Sequence, residues 1–295
     1  MRKKNIIITG SLGQDGIILS KLFTKKKFKV FGIVKKSKKN SIKGVKYIKI
    51  SMENPSTLSK TIKKINPSIF VHLGRANPSF KELNKNRDNK NYKISKNILD
   101  YFSINNKKTK IVLVGSAQMY KEIGKEVSIN TKFNPQNTYA RFDVKSYTYM
   151  KKIKKKYKLN ASMAILFNHD SSLRNKKFLF PRIIKMIKNN NSKSLKEIYN
   201  NNISGDFSHA DDICDGIYKL CFLKSNPDKL IFSSYKRTFV NDIINYLSTL
   251  MNKNFQFNKV KNKNIKKKIG DNRFTKKILK WKLKKDAFVA AKELI

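Results

Sequence analysis

One short stretch near the start of the chain decides the fold: Asn5-Ile6-Ile7-Ile8-Thr9-Gly10-Ser11-Leu12-Gly13-Gln14-Asp15-Gly16. The apolar run predicts a buried strand, the glycines follow in G-x-x-G-x-x-G spacing, and the segment after them predicts a helix. Glycine lets a backbone turn tightly and approach a pyrophosphate, and a helix N-terminus offers free N–H groups and the positive end of its dipole. The spacing differs by one residue from the commoner G-x-G-x-x-G form. We therefore predict a dinucleotide-binding turn formed by Gly10, Gly13, Gln14, Asp15 and Gly16.

Beyond this turn, short apolar runs alternate with longer polar–apolar segments through the first half of the chain. That alternation is typical of βαβ units and a parallel sheet, and the unbroken run Ile111-Val112-Leu113-Val114 fits a strand covered on both faces. The predicted strands are residues 5–9, 29–34, 45–50, 69–73, 110–115 and 162–167, and the predicted helices are 16–26, 55–65, 91–105 and 138–157.

The alternation is lost from about Asn168. Helices are predicted there at residues 211–223 and 239–251, with another from residue 286 to the C-terminus. The predicted fold class is therefore α/β: a Rossmann-type doubly wound parallel sheet over residues 1–167, and a smaller, mostly helical lobe over residues 168–295, with some chain crossing between the two.

The composition excludes several classes of protein. Of 295 residues, 39% are hydrophobic, so the chain can bury a core and disorder is not expected. No apolar run reaches the about 18 residues of a transmembrane helix, and the N-terminal run is too short for a signal peptide, so we expect a cytoplasmic protein.

The two cysteines, Cys214 and Cys221, are predicted to be thiols in the core. If their segment is helical, their Cα atoms lie about 10 Å apart, whereas a disulfide needs a Cα–Cα distance below about 7 Å. Three histidines without a histidine–cysteine cluster predict no metal site.

The charge is the most unusual property of the chain, because 67 Lys and Arg against 19 Asp and Glu give +48. A nucleic-acid binder is one interpretation, since basic chains attract polyphosphates. The lysines are spread through every segment, however, whereas a dedicated nucleic-acid footprint concentrates them. We therefore predict no specific nucleic-acid partner, and a basic surface that favours a substrate carrying a diphosphate.

The end of the second predicted strand bears on the choice of dinucleotide. Lys35, Lys36 and Ser37 stand where an NAD-selective site places an acidic residue for the ribose 2′-hydroxyl. Because basic residues suit a 2′-phosphate instead, the sequence favours NADP over NAD as the cofactor.

Several motifs, in order along nearly the whole chain, resemble those of the extended short-chain dehydrogenase/reductases, in particular the GDP-mannose 4,6-dehydratase family. They are Thr9-Gly10-x-x-Gly13-Gln14-Asp15-Gly16, Phe31-Gly32-Ile33-Val34, Leu166-Phe167-Asn168-His169-Asp170-Ser171, Asp206-Phe207-Ser208-His209-Ala210-x-Asp212, and Gly270-Asp271 with Lys277, Leu279 and Trp281-Lys282. The resemblance implies a homo-oligomeric, NADP-dependent enzyme acting on GDP-mannose. In that reaction hydride leaves the hexose C4, water is lost across C5 and C6, and hydride returns to C6.

The resemblance also implies the residues of the site. Ser116 matches the hydroxyl that holds the reacting oxygen, and Tyr139 matches the base. Residues implied in cofactor binding are, besides the glycine turn and Tyr139, Ser51, Met52, Leu73 and Gly74. Residues implied in contacts to the sugar nucleotide are Asn168, Arg174, Arg182 and Lys261.

Four positions depart from the family pattern. Gln118 stands where the family carries a glutamate, and an amide has no basic oxygen to accept the C5 proton. Asp143 stands where the family has the lysine that lowers the pKa of the tyrosine, and a carboxylate there raises that pKa. Gly205 and Ser51 stand where the family has an arginine and an aspartate.

Lys145 is the alternative cation for Tyr139. On a regular helix it points about 240° away from Tyr139, unless two inserted residues realign it with the family's lysine. The ungapped match through Tyr147 and Tyr157 favours Asp143 at that position. These departures leave two alternatives to a dehydratase: a nucleotide-sugar epimerase or 4-keto reductase of the same family, and a homologue that binds cofactor and sugar nucleotide without turnover.

Overall fold

The computed structural model describes residues 4–35, 42–75, 89–122, 124–257 and 267–295. Its strands are β1 (Asn5–Thr9), β2 (Lys29–Val34), β3 (Val45–Lys49), β4 (Ile69–His72), β5 (Lys110–Ser116), β6 (Glu126–Val127), β7 (Ala161–Leu166), β8 (Asn168–Asp170), β9 (Ser204–His209), β10 (Lys229–Phe232), β11 (Arg237–Phe239) and β12 (Ile269–Gly270). Its α-helices are α1 (Gln14–Lys25), α2 (Pro55–Ile65), α3 (Lys90–Asn105), α4 (Thr138–Tyr157), α5 (Leu179–Lys188), α6 (Ser192–Asn200), α7 (Ala210–Leu220), α8 (Val240–Leu250), α9 (Arg273–Leu279) and α10 (Ala287–Lys292). A short 3-10 helix, Ala117–Met119, follows β5.

A seven-stranded sheet in the order β10-β7-β5-β4-β1-β2-β3 forms the centre of the molecule, and every adjacent pair in it runs parallel. Side chains alternate between its faces as a pleated strand requires. Ile7 of β1 packs into the layer formed with α2, α3 and α4, whereas Ile6 and Ile8 pack into the opposite layer with α1 and α7. The predicted doubly wound parallel sheet is confirmed, and each predicted strand end lies within one residue of the observed one.

The helices begin and end where local signals place them. Helix α2 is an example, because the Asn54 side chain caps it by accepting from the Thr57 N–H at 3.0 Å, and Pro55 occupies the first helical position, where its missing N–H costs nothing. The left-handed Asn66 ends the helix. The predicted helix over residues 55–65 agrees with the observed bounds.

Strand order reverses next to β1, because β2 and β3 follow on one side while β4 and β5 lie on the other. Doubly wound sheets bind ligands in the crevice at the carboxyl ends of the strands at such a point. Gly10 follows β1, and Gly74 follows β4 two residues beyond its end. Their backbones touch, since a Cβ on Gly10 would lie 2.8 Å from Gly74 Cα.

The second lobe has its own core, in which α5, α6, α8 and α10 pack around β9 through side chains such as Phe180, Phe207 and Ile244. The lobe also contains a three-stranded sheet, β11-β9-β8, which the expectation of a mostly helical lobe did not include. Every residue of β9 is buried, so its sequence lacks the polar–apolar alternation that reveals a half-buried strand. Strand β10 returns from this half of the chain to the large sheet beside β7. The division at residue 167 stays a prediction.

Both cysteines lie in the layer between α7 and the large sheet, as buried free thiols. This confirms the prediction of core thiols, and burial raises the pKa of both. None of the helices in the described ranges has the length and apolarity to cross a bilayer. In the same ranges, no three or more His, Cys, Asp or Glu side chains are grouped to hold a metal ion.

Acid is expected to weaken the fold through His72, which is fully buried at the end of β4. Its Nδ1 lies 2.7 Å from Thr9 Oγ1, which accepts from the Gly74 N–H, so the hydroxyl proton is free to point at a neutral imidazole. Burial, and secondly the Arg75 charge, lower the pKa of His72 to about 3. The unfolded chain therefore binds a proton first, and stability present above about pH 6.5 is lost as the pH falls towards 3, at about 1.4 kcal/mol per pH unit.

Urea denaturation at pH 7 and pH 5 measures this effect. We expect the protein to lose about 2 kcal/mol more between these pH values than the His72→Gln variant, because glutamine cannot take up the proton. An equal loss in both proteins would contradict a neutral His72.

Candidate active site

The turn after β1 has the geometry of a phosphate cradle. Gly10 has a φ of +67°, and the Gly13 N–H donates to its carbonyl oxygen at 3.0 Å. Gly13 is the N-cap of α1 and makes no side-chain cap, so the first N–H groups of the helix, which have no partner within it, face the turn. A Cβ on Gly16 would lie 2.3 Å from Gly10 O. The turn fits a dinucleotide pyrophosphate because the backbone alone lines it.

A methyl group at Gly16 is expected to open this turn. In Gly16→Ala the new Cβ would meet Gly10 O at 2.3 Å and Ser11 Cα at 2.6 Å, so backbone must move, at a cost of about 1–3 kcal/mol for such overpacking. The matched control is Gly13→Ala, because a Cβ there would meet only Gly10 O, at 3.3 Å. Thermal melts without ligand should show a clear loss for Gly16→Ala and a smaller one for Gly13→Ala. Equal melting temperatures would show that the turn does not need its present shape.

Other predicted cofactor residues lie at the same edge of the sheet, with differing exposure. Met52 is buried beneath Gly74, with its Cε 2.8 Å from where a Gly74 Cβ would stand. Leu73 is half-buried, whereas Ser51 is exposed. The pair Met52 and Gly74 therefore forms part of the wall behind the turn, and Ser51 lies on its open side.

A carboxylate from the connection between β3 and α2 lies beside the end of β2. Lys35 is exposed and lies 3.8 Å from the Glu53 carboxylate, which also pairs with Lys90 at 3.4 Å. Lys36 and Ser37 lie outside the described residues. The preference for NADP therefore stays a prediction.

Four side chains meet at the carboxyl ends of β4 and β5. Ser116 Oγ donates to Asp143 Oδ2 at 3.1 Å, and Arg75 Nη2 donates to the same oxygen at 2.9 Å. Arg75 Nη2 also donates to Tyr139 Oη, and its Nη1 donates to the Val114 carbonyl oxygen. The predicted hydroxyl and base are thus joined through one buried ion pair.

Helix α4 explains why Tyr139 and Asp143 belong to this group. Its N-cap Asn137 accepts from the Ala140 N–H at 2.8 Å, which fixes where the helix starts. Residues four apart share a helix face, so Tyr139 and Asp143 both point at the sheet. Lys145 is exposed, with its Nζ 5.7 Å from the Phe142 ring centroid. The alternative in which Lys145 serves Tyr139 is therefore wrong.

Burial governs the titration of this cluster. It raises the pKa of Tyr139 to about 12, with Arg75 opposing the rise and Asp143 adding to it. Burial alone would lower the pKa of Arg75, but Asp143 and then Tyr139 raise it above its ordinary value, so the guanidinium stays charged. Burial raises the pKa of Asp143, whereas Arg75 and then Ser116 oppose that rise. Because both of them donate to the carboxyl, we take it to be ionised beside the charged guanidinium.

Gln118 lies in the 3-10 helix that follows β5, two residues after Ser116, and is half-buried. An amide can donate and accept hydrogen bonds there but has no basic oxygen. Gln118 therefore follows the cluster residue Ser116 closely in the chain, but its side chain cannot act as a general base.

Three of the predicted sugar-nucleotide residues lie among the described residues, and their surroundings differ. Arg174 forms an ion pair with Asp170, and its guanidinium carbon stacks 3.7 Å from the Phe178 ring centroid. The positive charge of Arg174 also acts on Tyr139, where it opposes the rise in pKa that burial causes. Asn168 and Arg182 are exposed, and Lys261 lies outside the described residues.

Two of the motif aspartates hold the lobe together. Asp206 accepts from the backbone N–H groups of Ser234, Tyr235 and Gly270. Asp212 accepts from the N–H groups of Lys284 and Lys285, at 2.7 and 2.8 Å. The neighbouring Gly205 is buried in β9, where a Cβ would lie 3.1 Å from the Phe207 ring. These positions organise loops, and no arginine would fit in place of Gly205 without moving that ring.

His169 ties the lobe to the cradle. Its Nδ1–H donates to the Phe167 carbonyl oxygen at 2.7 Å, and its Nε2 lies 3.1 Å from both Asp15 carboxylate oxygens. Burial alone would lower the pKa of His169, but Asp15 raises it. Burial would raise the pKa of Asp15, but His169 lowers it to about 2. The two groups therefore form an ion pair between the lobe and the glycine turn. Ser171 adds a second contact there, donating a hydrogen bond to Gln14 at 3.1 Å.

Arg75 is the residue that the sequence analysis missed. It directly follows Leu73-Gly74, at the carboxyl end of a strand next to the reversal of strand order. A charged residue at that place is a signal for a site in a doubly wound sheet, but in a chain with 67 Lys and Arg one arginine does not stand out.

The fold is shared with solved structures of sugar-nucleotide epimerases and dehydratases. The UDP-glucose 4-epimerase of Thermotoga maritima with UDP-glucose superposes with a TM-score of 0.82 at 15% identity, over 98% of this chain and 96% of that one. The dTDP-glucose 4,6-dehydratase of Bacillus anthracis in complex with NAD superposes with a TM-score of 0.81 at 14% identity, over 99% and 95%.

The chain belongs to the GDP-mannose 4,6-dehydratase family, whose model matches residues 7–293. A similar protein is GDP-mannose 4,6 dehydratase 2 of Caenorhabditis elegans, 24% identical in an alignment that covers 82% of this chain and 69% of that protein. Another is the GDP-mannose 4,6 dehydratase of Dictyostelium discoideum, 24% identical in an alignment that covers 82% of this chain and 74% of the relative. The resemblance found in the motifs is thereby confirmed.

Proposed function

We propose that this chain is an NADP-dependent enzyme that modifies the hexose of a nucleotide sugar, with GDP-mannose as substrate and 4,6-dehydration as the reaction. The observation that carries the proposal is the joining of Ser116 and Tyr139 through Asp143 and Arg75 beside the glycine turn. The names of the family and of the sequence relatives support the substrate. The charge of +48 supports a ligand with a diphosphate, since a basic surface attracts it.

The glycine turn would bind the cofactor, and Tyr139 and Ser116 would act on the hexose. Gly10, Gly13 and Gly16 would hold the pyrophosphate of the dinucleotide, which when bound supplies hydride transfer to and from the hexose. Tyr139 Oη, once it has lost its own proton, would take the proton of the hexose hydroxyl, and Ser116 Oγ would hydrogen-bond the same oxygen. Arg75 favours this ionised form of Tyr139, whereas burial opposes it. Both side chains are half-buried, which limits the water that can compete for that proton.

The experiment is incubation of the purified protein with NADP and a panel of GDP-, UDP- and dTDP-linked hexoses, followed by mass spectrometry. A product lighter than GDP-mannose by one water supports the proposal. Binding of NADP and GDP-mannose by calorimetry, without any product, would contradict it and support a homologue that binds without turnover.

Gln118 favours a second function, that of an epimerase or 4-keto reductase of the same family. Such an enzyme needs hydride transfer but no base for the C5 proton, which the Gln118 amide cannot supply. Its product would have the mass of the substrate, or that of an added 4-keto sugar increased by two hydrogens.

Substituting Gln118→Glu separates the two functions. If the site lacks only this base, we expect the variant to release the dehydrated product at least about 100-fold faster, which is the lower range for a positioned general base. The control is Gln136→Glu, at an exposed loop residue, which should change nothing. Unchanged dehydration in Gln118→Glu would show that Gln118 does not occupy the position of the base.

A further inference from the structure

We infer that Arg75, just beyond the end of β4, is the cation that interacts with the Tyr139 hydroxyl in this chain. Asp143 holds Arg75 in the orientation that this contact requires. The inference rests on the proposed role of Tyr139 as the group that takes the hydroxyl proton. It assigns a positioning role to a residue outside α4, whereas the sequence pattern places the cation one helical turn beyond the tyrosine.

Three acceptors fix the guanidinium of Arg75. They are Tyr139 Oη, Asp143 Oδ2 at 2.9 Å, and the Val114 carbonyl oxygen. The side chain is only 6% exposed, and that of Asp143 only 3%. A planar fork with several donors can satisfy three acceptors at once, whereas a lysine ammonium is a point charge on a flexible stem. The site is thus built for an arginine and holds it in one orientation.

Because Arg75 lies between Asp143 and Tyr139, the charge next to the phenol oxygen is positive instead of negative. An ionised Asp143 one turn from Tyr139 would by itself repel a phenolate. Arg75 stands between the two, donating directly to the phenol oxygen, with its carbon 5.0 Å from the centroid of the ring. Arg174, also a cation, acts on Tyr139 in the same direction as Arg75. The nearest charge to the proton-carrying oxygen is therefore positive.

Opposite effects on Tyr139 are expected from the two members of the pair. Loss of the cation in Arg75→Gln should raise the pKa of the phenol, because Arg75 lowers it. Loss of the anion in Asp143→Asn should lower the pKa, because Asp143 raises it and Arg75 then has no competing partner. Each shift should be about one pH unit or more, as for an opposite or like charge within hydrogen-bond reach. Arg75→Lys should keep part of the effect.

The test is a titration of 3,5-difluorotyrosine placed at position 139 and followed by ¹⁹F NMR. The fluorines withdraw electrons and bring the midpoint of the phenol down into the pH range in which the protein stays folded. The matched control is the same probe at position 147, since Tyr147 lies two turns along the same helix and its raised pKa comes from burial and Asp228. Its midpoint should not respond to Arg75 or Asp143.

The expected result is a higher midpoint at position 139 in Arg75→Gln, a lower one in Asp143→Asn, and in Arg75→Lys a midpoint between those of Arg75→Gln and the unmodified pair. An unmoved midpoint in both Arg75→Gln and Asp143→Asn, or equal shifts at positions 139 and 147, would overturn the inference. The titration needs no substrate. Shifted midpoints without turnover would contradict the proposed function alone, and turnover with unmoved midpoints would contradict the inference alone.

Discussion

Replacing Tyr139 by phenylalanine is expected to lower turnover of the sugar nucleotide by about 10²–10⁴-fold, the range for loss of a positioned acid–base group. The ring would remain in place against the Arg75 guanidinium, and Arg75 would keep its bonds to Asp143 and to the Val114 carbonyl. The loss should therefore appear in kcat, with little change in the affinity for NADP or in the melting temperature. Stopped-flow measurement of hydride transfer, with calorimetry for binding, checks both parts.

Tyr147→Phe is the control for this variant. Tyr147 is half-buried on the same helix and packs against the Phe133 ring at 5.0 Å between centroids, without contact to the Arg75 pair. Turnover there should stay close to that of the unaltered protein. If Tyr139→Phe kept full turnover, or if both variants lost it equally, Tyr139 would not be the proton-accepting group.

The second large effect concerns stability and the buried pair. Asp143→Ala is expected to destabilise the fold by about 3–5 kcal/mol, because it leaves the Arg75 charge buried without its carboxylate. The double variant Arg75→Ala with Asp143→Ala should be clearly more stable than the sum of the single effects predicts, since no uncompensated charge remains. Urea denaturation of the four proteins gives the coupling energy.

An exposed pair of the same residue types supplies the comparison. Arg273 and Asp271 lie 2.8 Å apart, but the Arg273 side chain is 69% exposed. Exposed pairs contribute about 0.2–1 kcal/mol, so the same cycle of alanine variants there should give a small coupling. Equal couplings for the two pairs would show that Arg75 and Asp143 are not held as a desolvated ion pair.

The large sheet could be predicted from the sequence because its signals are local. Short apolar runs such as Ile6-Ile7-Ile8, alternating with longer helical segments and bounded by turn residues, indicate strands covered on both faces. The lobe was harder because β8 and β11 each pair with β9 through residues distant in sequence. A three-residue strand such as Arg237–Phe239 carries no periodicity of its own.

The site could be predicted where a motif fixes the geometry and not where the contact is long-range. Ser116, Tyr139 and Asp143 were implied by the resemblance to the family motifs. Arg75 lies 68 residues from Asp143 in the chain, and the two meet because β4 pairs with β5 while α4, which carries Asp143, packs against β5. Sequence spacing led to the expectation of a carboxylate acting alone on Tyr139, and the structure shows an arginine between them.

The backbone contact between Gly10 and Gly74 connects the dinucleotide turn with the segment that follows β4. Arg75 is joined to Gly74 by a single peptide bond, so the backbone that walls the turn also carries the guanidinium. A dinucleotide held by the turn would therefore lie against the same stretch of backbone that positions the donor to the phenol. The placement of the cation thus depends on the shape of the turn, whereas a cation carried on the tyrosine's own helix would be placed by that helix.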